Sequence, residues 1–151
     1  MTRILVDADG CPVKDEIYRV ARRHGLPVVL VANVRMRTPP DSSISLVVVG
    51  KDLDAADDWI AGHATEADVV VADDVPLAAR SLKKGAAVVG HRGRLFTDAS
   101  IGDALATRDL LHHLREIGEV AGGPPPVVHR DRSRFLQRLE EAVRAKNPGV
   151  R

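Results

Sequence analysis

Five short runs of Val, Ile and Leu, most of them separated by amphipathic stretches, constrain the fold more than any other feature of the chain. Residues 3–6, 28–32, 44–49, 69–72 and 86–89 are almost free of polar interruption. That is the pattern of parallel strands covered on both faces, where an exposed sheet would alternate. Between the runs, apolar residues recur at helical spacing. The stretch 12–24 carries Val13, Ile17 and Val20 on one stripe behind Pro12, and 53–64 carries Leu53, Ala56 and Ile60. The stretch 75–84 stops at Gly85, a residue suited to the left-handed turn that closes a helix. The alternation predicts an α/β fold: a three-layer α/β/α sandwich with a mainly parallel sheet in the order 3-2-1-4-5. Residues 33–43, with Pro39 and Pro40, are the exception. They read as a loop shorter than an ordinary parallel crossover and leave the partner of the third strand open. Past the sheet, 101–117 reads as a long helix and 118–128 as a stiff linker through Gly122-Gly123-Pro124-Pro125-Pro126. Residues 131–146 read as a C-terminal helix with Phe135, Leu139 and Ala142 on one side, all within a single domain spanning 1–151.

A chain of 151 residues, 44% apolar, can bury a core without disulfide or metal support. A lone cysteine, Cys11, excludes an internal disulfide framework. No apolar run approaches the ~20 residues of a membrane span, and Met1-Thr2-Arg3 leads into the first strand without a signal-peptide pattern. The expectation is a soluble, cytoplasmic protein with no membrane partner. The net charge of +1 conceals an asymmetry. Residues 1–74 hold 8 basic and 13 acidic side chains, whereas residues 75–151 hold 14 basic and 8 acidic. Arginine, at 17 residues against 5 lysines, suits bidentate phosphate recognition. Aspartate, at 15 against 6 glutamates, suits ligation of a hard cation. The only aromatics are Tyr18, Trp59, Phe96 and Phe135, too few for an extended base-stacking platform.

The acidic residues fall where α/β sheets bind ligands. The first strand runs straight into Asp7, and Asp9 follows two residues on, on the same side if the chain stays extended. The fourth ends in Asp73-Asp74 before a helix. In the expected strand order Asp7 and Asp74 face one another across the crevice where the order reverses. Asp54, Asp57 and Asp58 form a third group in the first turns of the helix after the third strand. Each has an ordinary structural role available: acids suit a helix N-terminus, and Asp73 or Asp74 can cap the next helix. Together, carboxylates converging in one crevice call for a divalent cation, and oxygen donors without a Cys/His cluster select Mg²⁺ or Mn²⁺ over zinc. Candidate phosphate contacts are Lys14, placed against its helix dipole, and Arg92 and Arg94, which flank Gly93 on the same sheet edge. Arg80, Lys83 and Lys84 read as a solvated face, and His91, His112 and His113 as surface or structural residues. Cys11 lacks a histidine partner for nucleophilic chemistry.

Val6-Asp7-Ala8-Asp9-Gly10-Cys11-Pro12-Val13-Lys14, Val31-Ala32-Asn33, Asp54-Ala55-Ala56-Asp57-Asp58-Trp59-Ile60 and Asp74-Val75-Pro76-Leu77-Ala78 occur in that order. Lys84-Gly85-Ala86, Arg92-Gly93-Arg94, Gly122-Gly123-Pro124 and Asp131-Arg132 follow them. Over residues 4–140 this set resembles the YaiI/YqxD family of uncharacterised bacterial proteins. The resemblance implies a fold similar to the PIN-like group of metal-dependent nucleases, with Asp7, Asp57 or Asp58, and Asp74 at the acidic positions. Ala72 departs from a threonine common two residues before the aspartate. The leading expectation is a Mg²⁺- or Mn²⁺-dependent nuclease acting on RNA, with Asp7 and Asp74 catalytic and Asp7, Asp9, Asp57, Asp58 and Asp74 as candidate metal ligands. One alternative is a phosphatase of the haloacid-dehalogenase type with Asp7 as nucleophile and Asp9 as general acid, although Cys11-Pro12 replaces the hydroxyl residue expected there. Another is a non-catalytic module that binds nucleic acid or protein. Oligomerisation through the C-terminal helix is a further expectation.

Overall fold

The computed structural model describes residues 1–119, 121–123 and 125–148. Its elements, in chain order, are β1 (Ile4–Asp7), α1 (Lys14–His24), β2 (Val28–Ala32), β3 (Ile44–Val48), α2 (Ala55–His63), β4 (Val69–Val71), α3 (Val75–Lys83), β5 (Ala87–Val89), β6 (Leu95–Phe96), α4 (Ile101–Glu116) and α5 (His129–Lys146). They form one sheet in the order β3-β2-β1-β4-β5-β6. The expected 3-2-1-4-5 core is present, all parallel, and β6 adds an antiparallel strand at the edge. Two residues long, β6 is too short to leave a periodic signal in the sequence.

The open question of the third strand resolves as a parallel pairing of β3 with β2, from Val28 opposite Ile44 to Ala32 opposite Val48. The crossover manages without a helix. Asp41 turns the chain into β3: its Oδ1 accepts from the Ser43 amide at 2.9 Å and the Ser43 hydroxyl at 2.6 Å, and its carbonyl accepts from the Ile44 amide at 3.0 Å. A second departure concerns α2, which starts at Ala55, so that Leu53 lies outside the helix and is 94% exposed instead of facing the core.

Alternation along each strand divides the core. Ile4, Val6, Val69 and Val71 pack with α1 and α5 on one face. Leu5, Val70 and Ala72 pack with α2, α3 and Ala104 of α4 on the other. By the same period of two, Asp7 continues on the side of Leu5, toward α2 and α3. The chain leaves β1 into α1 on one face and β4 into α3 on the opposite face. The crevice at the carboxyl ends of β1 and β4 is therefore the switch point of the sheet, where such folds hold ligands.

The two C-terminal helices differ in how much of themselves they bury. Phe135, Leu139 and Val143 of α5 are fully buried against the sheet and α1, each contributing about 1.5–3 kcal/mol by burial. The apolar stripe of α5 is thus enclosed in the chain's own core. In α4 only Ala104 is buried, and Leu110, Leu111 and Ile117 are exposed. Among the described residues, no helix is long and apolar enough to cross a membrane.

Candidate functional site

Asp7 closes β1 half-buried in the switch-point crevice. Burial pushes its carboxyl up to about 7, with further upward pressure from Asp57, Asp74, Asp9 and Asp73 in that order. Asp57, half-buried on α2, is raised to about 6, first by burial, then by Asp74 and Asp54, with Arg80 opposing the shift. Aspartates from three separate segments thus act on one another through space.

The neighbours of Asp7 are held by backbone donors. Asp74 caps α3: its Oδ1 accepts from the Leu77 amide at 2.8 Å, with Pro76 in the first turn where a missing N–H costs nothing. Asp9 Oδ2 accepts from the Asn33 amide at 2.7 Å. Asn33 in turn donates its side-chain amide to the carbonyls of Gly50, at 2.7 Å, and Asp52, at 2.9 Å. One asparagine so fastens the loop after β1 to the ends of β2 and β3, a role that sequence reading missed. The hydrogen bonds of Asp74 and Asp9 each engage one oxygen, while the carboxyls of Asp7 and Asp57 accept none among the described residues.

The helix separates Asp58 from Asp57. Asp58 Oδ1 pairs with the Arg80 guanidinium at 2.8 Å in a solvent-exposed bridge, and of the two it is Asp57 that acts on Asp7. Asp73 has a partner that the sequence did not suggest. Its Oδ1 accepts from the His91 amide at 2.7 Å, and its Oδ2 lies 3.3 Å from His91 Nδ1. His91 is buried, the structural of the two readings open to it, and its Nε2 has no partner among the described residues.

The donor set consists of carboxylate oxygens, which fits a hard divalent cation and not a soft one. Among the described residues, no group of three or more His, Cys, Asp or Glu is drawn together closely enough to enclose a metal ion as it stands. Burial first, and then the repulsion of neighbouring carboxylates, raises Asp7 and Asp57. Cys11 is buried, and desolvation pushes its thiol up to about 11, which keeps it protonated and unsuited to attack.

The candidate phosphate contacts divide. Lys14 begins α1 half-buried, with no hydrogen bond among the described residues. Arg92 is engaged elsewhere: its guanidinium donates to Asp131 Oδ2 at 2.9 Å and to the Pro125 carbonyl, pinning the β5–β6 turn to the start of α5. Arg94 is exposed, its guanidinium 4.7 Å from the centre of the Phe96 ring.

Residues 5–145 match the sequence model of a family described as "Uncharacterized BCR, YaiI/YqxD family". The chain is 56% identical over 143 residues to a UPF0178 protein of Rhodopseudomonas palustris (strain BisB18), covering 95% of this chain and 92% of the relative. It is 55% identical over 148 residues to a UPF0178 protein of Brucella ovis, covering 97% and 92%. No solved structure matches the chain.

Proposed function

The chain belongs to the YaiI/YqxD family of uncharacterised proteins, and on that premise we propose that it is a Mg²⁺- or Mn²⁺-dependent nuclease that hydrolyses phosphodiester bonds in RNA, with a PIN-like catalytic site. The observation that carries the reading is Asp7, delivered by a fully buried strand to the switch point and raised to about 7 among aspartates from separate elements. A purely structural site has little use for such a cluster, because each added carboxylate destabilises the others.

In this reading Asp7, Asp9, Asp57 and Asp74 hold the cation. A cation held there would supply neutralising charge for a phosphodiester and a more acidic water. Capping fixes Asp74 and leaves its second oxygen available, and the Asn33 amide fixes Asp9 in the same way. Without the cation Asp7 holds a proton near neutral pH, and binding of the cation would displace it. Lys14 and Arg94 are the cations available to the substrate's phosphates, whereas Arg92 acts through the turn that it anchors.

The test is cleavage of end-labelled single-stranded RNA with Mn²⁺ and with chelator, beside calorimetric titration of Mn²⁺ into the RNA-free protein. Asp7→Asn and Asp74→Asn are each expected to lower cleavage by about a hundredfold or more and to weaken Mn²⁺ binding. Undiminished cleavage by either variant refutes the assignment.

A further inference from the structure

Beside the crevice, a groove of about 610 Å³ runs from Asp73 and Val75 along one side of α4 to Gly122 and Gly123. Arg92, Arg94, Arg108 and Arg115 line it, opposed by Asp73 and Asp103. Guanidinium groups therefore outnumber carboxylates immediately next to a crevice whose own charge is strongly negative. Arg94 and Arg115 have no carboxylate at ion-pair distance among the described residues, and Arg108 pairs only with its exposed neighbour Asp109. Phe96, Ala104 and Leu111 give the groove an apolar side. With Ala104 as its only buried residue, α4 serves poorly as a core helix and well as a wall.

We propose that this groove is a channel for single-stranded RNA, in which Arg115, Arg108 and Arg94 lead the phosphodiester backbone to the carboxylate crevice. The choice of RNA and the direction of travel rest on the nuclease reading; the binding of a single strand does not. Two observations favour a single strand over a duplex. The groove combines cationic side chains with apolar surface, which suits a strand whose bases are free to leave their stack, whereas a duplex offers mainly phosphates. In addition, the exposed Arg94 guanidinium lies over the buried Phe96 ring, which holds its plane where a base can stack on it. The groove also answers an electrostatic difficulty: a phosphate chain approaching the aspartates is repelled, and only adjacent fixed cations can hold it there.

Fluorescence anisotropy with labelled RNA in chelator separates binding from cleavage. The wild-type chain is expected to bind a single strand about tenfold or more tightly than the same sequence as a duplex. The double variant Arg94→Ala/Arg115→Ala is expected to lose about tenfold in affinity for the single strand and to flatten the salt dependence by about 0.7 per arginine removed. Arg19→Ala, an exposed arginine on α1 across the sheet, is expected to bind as the wild type does. Both altered arginines are exposed, and circular dichroism checks that the double variant folds. Equal affinity for the duplex, or wild-type binding by the double variant, overturns the channel. Continued cleavage by Asp7→Asn, with binding still dependent on Arg94 and Arg115, overturns the catalytic assignment and leaves the channel standing.

Discussion

Among the residues of the crevice, Asp7 carries the heaviest electrostatic burden, because burial acts on it together with four other aspartates and its carboxyl stands near 7 against an ordinary 3.8. In the unfolded chain the same group ionises near 4. Between about pH 4 and 7 the folded protein therefore holds a proton that the unfolded chain releases, and stability falls as pH rises through that window. With the cation removed by chelator, Asp7→Asn is expected to stabilise the protein by about 1–2 kcal/mol at pH 8, a figure reduced for solvent screening, and to bring no gain at pH 4. Urea denaturation at the two pH values measures this, and a variant less stable than wild type at pH 8 contradicts the electrostatic account of the site. The place of Asp7 at the end of β1 was legible in the sequence, since an apolar strand running into a carboxylate is conspicuous. The difference between Asp57 and Asp58 was not. Adjacent on a helix, the two differ by about 100° of rotation, and that rotation sends one toward Asp7 and the other to Arg80. His91 was illegible for a related reason: a single histidine after a strand carries no pattern, and its pairing with Asp73 depends on how the turn after β5 folds back.

That turn shows how an element can owe its form to a distant one. Gly90 and Gly93 close it, with the Gly93 amide donating to the Gly90 carbonyl at 3.0 Å and the Gly90 amide to the Arg94 carbonyl at 2.8 Å. Gly93 has φ +86°, and a Cβ there would lie 2.8 Å from the carbonyl carbon of Arg134 on α5. Its carbonyl also accepts from Arg138 Nε at 3.2 Å. Gly93→Ala is accordingly expected to cost about 2 kcal/mol or more, from the left-handed backbone and from the displacement of α5 together. The loss should appear as a lower urea midpoint, and an unchanged midpoint would mean that α5 does not press on the turn. Helices and long strands were readable because their periodicities are local. The crossover from β2 to β3 and the strand β6 were not, since one lacks a helix and the other is two residues long.

On the scale of the whole molecule, the charge asymmetry of the sequence becomes a spatial one. The aspartates of the crevice come from the acidic first half, and the arginines of the groove beside it from the basic second half. Binding of a divalent cation should be linked to folding and strengthen as the carboxyls ionise. Mn²⁺ is therefore expected to raise the melting temperature more at pH 8 than at pH 5, and saturation at a hundredfold over Kd corresponds to about 2.7 kcal/mol. Differential scanning fluorimetry measures it, with Asp74→Asn expected to remove most of the increment. A rise of equal size at both pH values, or in the variant, would place the ion outside the crevice.

By itself the sequence determined the helices, the five parallel strands and the order of the sheet's core, because apolar spacing acts within a few residues and decides locally whether a segment becomes strand or helix. It also marked the sheet edge on which acids accumulate. Only the tertiary structure decided which of those acids meet, that Arg92 is a fastening and Arg94 is exposed, that α5 is enclosed and α4 is not, and that four arginines line a groove next to the aspartates. Distance through space, burial and the direction of a side chain are set by packing between remote segments. Spacing along the chain carries no record of them.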